Sequence, residues 1–281
     1  MTLTNFIDEY TLQINQELNL ISDSYIAKTN GDSDLFNMMK YSLLSNGKRV
    51  RPLLTLLIIQ AFGEKINTNL VKSALPVELI HAYSLVHDDL PDMDDDEYRR
   101  GELTTWKKFG SDNAILVGDA LLTHAFLYLS KLPIESEILI KLIEEMSNSA
   151  QEMVLGQQKD IAQINVDSLN KLENIHKLKT SALLRYSILA GYYLQNKKPI
   201  NNDDLMNLTT FANNYGIAYQ LVDDFKDLKQ NSDLKKNTAL NFLSEIDLKK
   251  RIDFLKFQSI KSLQKISQFD PSFLIELVNK L

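Results

Sequence analysis

Apolar residues recur at three- and four-residue spacing along almost the whole chain, and most of its nine Gly and six Pro (52, 76, 91, 133, 199 and 271) fall between those stretches. That spacing lines one face of a helix, whereas strands need alternation. The chain therefore reads as all-α. Helices are predicted near 3–20, 33–46, 52–62, 68–91, 111–131, 135–158, 168–177, 179–194, 202–229, 236–263 and 270–280, with no segment reading as a strand. Pro76, inside 68–91, should kink that helix or restart it. The polar joints at 29–34, 97–105, 195–203 and 230–237 are too short to be interdomain linkers. A single domain over 1–281 is expected, built as a helical bundle with a central cavity.

Into this pattern Asp88 to Gly101 inserts DDLPDMDDDEYRRG, with seven acidic residues in the ten positions 88–97 and Arg99 and Arg100 behind them. Carboxylates about 6 Å apart repel by roughly 2 to 3 kcal/mol per pair at an effective dielectric near 20. Divalent cations relieve that cost. Mg²⁺ prefers one or two carboxylates together with phosphate oxygens, so sparse Asp clusters suit a shared Mg²⁺–diphosphate better than a permanent ion. An EF-hand is excluded, because a loop starting at Asp92 has Glu97 where Gly is needed and Leu103 where Glu is needed. Counting 100° per residue puts Ser84 and Asp88 on one helix face, with His81 a further turn down. Pro91 distorts the last turn, so counting leaves both Asp92 and Asp94 as the acid that folds back towards Asp88.

Composition limits the partners. A net charge of -6 and a pI near 5.3 argue against general nucleic-acid binding and confine the useful basic residues to small anion sites. The absence of Cys removes disulfides and thiolate chemistry and makes a reducing cytoplasm the expected home. The N-terminus lacks a basic signal-peptide region, and the longest apolar run, 53–59, is far short of the roughly 20 residues a membrane span needs. A soluble protein is expected.

A second acidic stretch, AYQLVDDFKD at 218–227, places Asp223 and Asp227 at i and i+4 on one helix. Together with NGKRVRP at 46–52, HAYSLVHDDLPDMDDDEYRRG at 81–101, AILVGDALLTHAF at 114–126 and HKLKTSALL at 176–184, it resembles the polyprenyl synthetase family of class I trans-isoprenyl diphosphate synthases. The bacterial farnesyl diphosphate synthases look most similar. The resemblance runs from about Lys40 to Leu240. It implies a Mg²⁺-dependent condensation of isopentenyl diphosphate with allylic diphosphates, carried out by a homodimer with three Mg²⁺ per active site. DDLPDMD fits the family's expanded first motif, which implies Asp88 and Asp94 as Mg²⁺ ligands and Asp92 as an extra acid, with Asp223 holding a third ion. It further implies isopentenyl diphosphate contacts at Lys48, Arg51, His81 and Arg100, and allylic diphosphate contacts at Arg99, Lys179, Thr180, Gln220 and Lys236.

Tyr83 and Ser84 lie five and four residues before Asp88, roughly 6 to 7.5 Å further down the helix at 1.5 Å per residue. A growing product tail would meet them. The resemblance links a bulky aromatic at this position to short products, which implies farnesyl diphosphate. Two positions depart from the family pattern: Asn46 replaces a Gly, and LKQNSDLKKNTAL after Asp227 is shorter than the family's loop. Rival readings are a longer-chain (geranylgeranyl) synthase, a class I terpene cyclase, and a non-catalytic helical subunit of a prenyltransferase complex. The RRG pair and the basic NGKRVRP turn oppose a cyclase, which has no second diphosphate to bind.

Overall fold

The computed structural model describes residues 1–28, 34–162, 166–196, 199–229 and 238–281, without the side chains of 25–28 and 227–229. Its backbone divides into two compact units, Met1–Leu56 with Ile66–Ile143 and Leu57–Lys65 with Glu144–Leu281. Both are helical, as the periodicity predicts.

The first unit contains α1 (Leu3–Lys28), α2 (Asp34–Leu44), the start of α3 (Val50–Ala61), α4 (Thr68–Ser73) and α5 (Pro76–Asp88). A two-residue hairpin, β1 (Tyr98–Arg99) and β2 (Glu102–Leu103), then leads to α6 (Thr105–Phe109) and α7 (Ser111–Leu129). The helix predicted over 68–91 is thus two helices. Asn67 caps α4 by accepting the Leu70 N–H at 3.0 Å. Pro76 opens α5 at its first position, where a missing N–H leaves no hydrogen bond unmade. α5 ends at Asp88, not at 91, and buries Leu79, Ile80, Tyr83 and Val86. Complete burial of such a side chain contributes about 1.5–3 kcal/mol. α5 packs against α2 and α7. Gly118 permits the close approach of α7, since a Cβ there would fall 2.0 Å from His87 Nε2.

The second unit holds most of α8 (Ser136–Ala162), then α9 (Leu169–His176), a π-helical turn (Lys177–Ser181), α10 (Ala182–Leu194), α11 (Asn202–Lys229), α12 (Glu245–Leu263) and α13 (Ser272–Asn279). α10 is buried at every position except Arg185, which suits a central helix with no polar face. α11 packs against α10 and α12, and its Ala218 and Leu221 share a core with Leu172 of α9 and with Leu248 and Leu255 of α12. The predicted start at 236 moves to Glu245, where Ser244 Oγ accepts the Asp247 N–H at 3.2 Å. Of the predicted joints, 29–33 and 230–237 lie outside the described residues. No described helix is long and apolar enough to cross a membrane.

Candidate active site

In the first unit the acidic run forms a tight turn at the end of α5. The Asp94 N–H donates to the Asp88 carbonyl at 2.9 Å, and the Met93 and Asp95 N–H groups both donate to Leu90. This backbone bond returns Asp94 to Asp88. Asp92 is exposed while Asp88 and Asp94 are half-buried, so the choice that counting left open falls on Asp94.

Asp89 behaves differently from its neighbours. It is buried and ion-paired to Arg99, whose Nε donates to Oδ1 at 2.6 Å, while Asp96 accepts from Arg99 Nη2 at 3.4 Å. Burial pushes the Asp89 carboxyl up, against the opposing pull of Arg99. Arg99, predicted as an allylic diphosphate contact, is therefore held by two carboxylates. It still keeps donors, because a guanidinium carries five.

Arg100 and Gly101 have φ values of 55° and 85° and form the two-residue loop of the hairpin, with Arg99 opposite Glu102. Positive φ at both loop positions is the signature of a type I′ turn, which explains the glycine of RRG. The Arg100 side chain reaches the NGKRVRP turn, where a Cβ on Gly47 would fall 2.5 Å from its Nη1. Arg49, in the same turn, is buried and tied to Glu78 at 2.8 Å, Asn15 at 2.9 Å and the Ser45 carbonyl at 3.0 Å. Arg49 thus braces the turn, leaving Lys48 exposed. His81 lies among these cations: burial first, then the charges of Arg51, Arg100, Arg99 and Arg49, hold its pKa well below the usual imidazole value. A neutral ring beside a cluster of guanidinium groups leaves the positive charge to the arginines.

Below Asp88, Tyr83 is buried and packs edge-on to His87 with centroids 5.9 Å apart. Burial, then the charge of Asp88, pushes its hydroxyl up to about 12, so the phenol stays neutral. Ser84 donates its hydroxyl to the His81 carbonyl at 2.9 Å.

In the second unit, Lys179 and Thr180 sit in the π-helical turn, a local widening found frequently at functional sites. Lys179 Nζ donates to Asp160 at 2.6 Å. Thr180 donates to Gln220 Oε1 at 2.9 Å, and Gln220 Nε2 donates to Asp224 Oδ1 at 3.2 Å. Asp223 is half-buried beside the buried Asp224. Among the described residues, Gln157 Oε1 and Nε2, Ser181 Oγ and His176 Nδ1 are buried without a hydrogen-bond partner. These atoms flank the turn. A group of orphaned polar atoms of this kind calls for water or a ligand. Lys236 lies outside the described residues, as does the side chain of Asp227.

Gly156 lets α8 meet the turn, since a Cβ there would fall 2.3 Å from the Lys179 backbone nitrogen. Backbone cannot swing aside as a side chain can. Gly156→Ala is therefore expected to cost about 1–3 kcal/mol of stability and to lower activity with it. Denaturant unfolding beside a rate assay checks this, and an unchanged midpoint with full activity would refute the close approach.

Sequence reasoning missed Asp89, Asp160 and Gln157 as parts of these arrangements, and Glu78 as the partner of Arg49. Glu78 carried a signal, since an acid inside the apolar stretch LPVELI needs a buried cation. Among the described residues no group of three or more His, Asp or Glu is disposed as a ready-made metal site. Oxygen donors such as Asp88 and Asp94 do suit Mg²⁺, provided diphosphate and water complete its shell.

The profile of the polyprenyl synthetase family matches residues 32–242. A farnesyl diphosphate synthase of Micrococcus luteus is 39% identical over 216 residues, covering 75% of this chain and 73% of that one. The geranyltransferase of Legionella pneumophila matches with a TM-score of 0.86 at 27% identity, over 99% of this chain and 95% of that one. The geranyltransferase of Helicobacter pylori, solved with magnesium and isoprenyl diphosphate, matches with a TM-score of 0.81 at 26% identity, over 98% of this chain and 97% of that one.

Proposed function

As this chain belongs to the polyprenyl synthetase family, we propose that it condenses isopentenyl diphosphate head-to-tail with dimethylallyl and geranyl diphosphate, in the presence of Mg²⁺, to make farnesyl diphosphate and release diphosphate. The observation that carries this reading is the pairing, within the first unit, of the Asp88–Asp94 turn with the cationic surroundings of His81. A condensing enzyme must bind two diphosphates, and these two features supply binding chemistry of opposite sign.

In this reading Asp88, Asp94 and Asp223 would hold Mg²⁺, three ions in all, and bound Mg²⁺ would supply positive charge to a leaving diphosphate. Arg99 and Lys179 add fixed positive charge there, already oriented by Asp89 and Asp160. Thr180, Gln220 and Lys236 complete the allylic side, and Lys48, Arg51, His81 and Arg100 hold isopentenyl diphosphate. The allylic C1–O bond breaks with both electrons leaving on diphosphate. The isopentenyl double bond attacks the resulting cation, and the proton then lost passes to the released diphosphate, so no protein nucleophile is needed. The apolar walls of a helical cavity keep water from the cation.

Tyr83 sets the product length in this account. Tyr83→Ala is expected to shift the product from C15 to C20 or longer, and an unchanged product would remove Tyr83 from the cavity floor. We further read the two units as one catalytic domain, in keeping with matches to solved relatives over 97–100% of the chain. A cytoplasmic homodimer fits the Cys-free composition and the exposed Ile115, Leu116 and Leu127 on α7, which a second copy would cover. The test is incorporation of labelled isopentenyl diphosphate onto geranyl diphosphate with product sizing. A C15 product that depends on Mg²⁺ supports the reading; a cyclic hydrocarbon, a C20 product or no incorporation supports the rival cyclase, longer-chain or non-catalytic readings and overturns it.

A further inference from the structure

Trp106 is the chain's single tryptophan, and its indole N–H is directed at the backbone of the acidic run. From α6 it donates to the Asp96 carbonyl at 2.9 Å, and Thr104 Oγ1 donates to the same oxygen at 2.8 Å. A carbonyl oxygen has two lone pairs, so this one is fully engaged. α6 is a firm base for that grip, since it packs on α2 and α7, with Thr105 buried and its hydroxyl 2.8 Å from Ser42 Oγ.

Asp96 links the two halves of the allylic side in the first unit. Just before it, the Asp94 N–H ties the acidic turn back to Asp88; just after it, β1 carries Arg99. The Asp96 carboxylate itself accepts from Arg99 Nη2 at 3.4 Å. Between Asp94 and Asp96, Asp95 has φ of 55°, a left-handed conformation that a residue other than glycine keeps only where its surroundings impose it. The two donors on the Asp96 carbonyl supply that constraint. The neighbouring Lys107–Glu97 ion pair, at 2.6 Å, spans the same stretch, but both side chains are more than a third exposed and such a pair contributes little. The half-buried indole is the stronger tie.

We propose that Trp106 is a positioning residue: through the Asp96 carbonyl its indole N–H holds the turn that carries Asp94 and the strand that carries Arg99 in one arrangement, so that both meet the same allylic diphosphate. This rests on the condensation reading above. Arg100 depends on the tie less, because the Thr104 N–H donates to the Glu97 carbonyl at 3.0 Å and keeps the hairpin closed beneath it.

With one tryptophan in the chain, expression in a tryptophan auxotroph fed benzothienylalanine, whose ring has sulfur where indole has N–H, removes this donor and little else. Mg²⁺ binding, measured by calorimetry in the presence of inorganic diphosphate, is expected to weaken about three- to tenfold, the worth of one hydrogen bond. KM for geranyl diphosphate should rise by a similar factor, with KM for isopentenyl diphosphate within about twofold of wild type. A purely structural tryptophan would instead lower the denaturant midpoint and leave these constants alone. That result, or an equal rise in both KM values, overturns the proposal. A second measurement needs no substitution: tryptophan labelled at the indole nitrogen gives a single N–H resonance, expected to exchange slowly with solvent. Exchange at the rate of free indole removes the bond and the proposal with it, even if the substituted protein fails to fold. A wild-type protein that shows the slow proton, with Mg²⁺ binding weakened in its analogue, but forms no product sinks only the condensation reading. Absence of Mg²⁺ binding in the wild type sinks both.

Discussion

Asp88→Asn is expected to lower the condensation rate by about three powers of ten or more, while leaving the protein at least as stable as wild type. The two halves of this result have one cause. Asp88 is the last residue of α5, with Asp94 brought back to it by a backbone hydrogen bond. An amide of the same size keeps that turn but loses the charge that recruits a cation, and about 1.4 kcal/mol of lost transition-state stabilisation is worth a factor of ten. Loss of an ion facing the departing diphosphate removes several such factors. Stability should move the other way. One fewer charge among seven acids in ten positions reduces repulsion, and a carboxylate at the C-terminal end of a helix also opposes the helix dipole. Turnover measured beside a thermal melt checks both halves. A variant that loses activity only because it unfolds would refute the account.

Glu78→Ala is expected to destabilise the protein by about 3–5 kcal/mol, the range for breaking a buried ion pair from one side. Arg49 and Glu78 are each about 5% exposed at the side chain, and no water replaces the lost carboxylate without reopening the core of the first unit. Asn15 and the Ser45 carbonyl would remain as partners for Arg49, but neither carries a full negative charge. The paired change Glu78→Leu with Arg49→Met should recover much of the loss, because an apolar pair of similar size removes both buried charges. Denaturant midpoints of these two variants beside the wild type settle this. A loss below about 1 kcal/mol in Glu78→Ala would show the pair to be solvated. Arg49 has φ of 48°, so its side chain also helps hold a left-handed backbone between Lys48 and Arg51. Loss of the pair should weaken binding of isopentenyl diphosphate before it unfolds the chain.

How much of this was legible in the residue order differs from element to element. The helices were legible because their apolar spacing is long and regular, and Pro76 signalled the restart of α5. The hairpin and α6 were not, because two-residue strands and a single helical turn are too short to show a period. The π-helical turn was also hidden. It depends on Gly156 and Gly216 meeting Lys179 and Ser181 from distant positions, and nothing local in HKLKTSALL encodes that. Within the acidic run, charge density was plain but the division of labour was not. Asp88, Asp89, Asp92 and Asp94 look alike in sequence, yet one is buried against Arg99, one is exposed and two are joined through the backbone. Three-dimensional partners make that distinction. Gln220 entered only as a contact that the resemblance implies, whereas its hydrogen bonds to Thr180 and Asp224 appear only in three dimensions.

The central physical claim is that the acidic motifs bind diphosphate only through a cation, while the arginine cluster binds it directly. Calorimetric titrations of isopentenyl diphosphate and of geranyl diphosphate into the protein, each with and without Mg²⁺, test that claim. One equivalent of isopentenyl diphosphate is expected without Mg²⁺, whereas the equivalent of geranyl diphosphate should appear only when Mg²⁺ is added and vanish in Asp88→Asn and in Asp223→Asn. Geranyl diphosphate titrations that are identical with and without the metal, or binding of it that survives both substitutions, would contradict it.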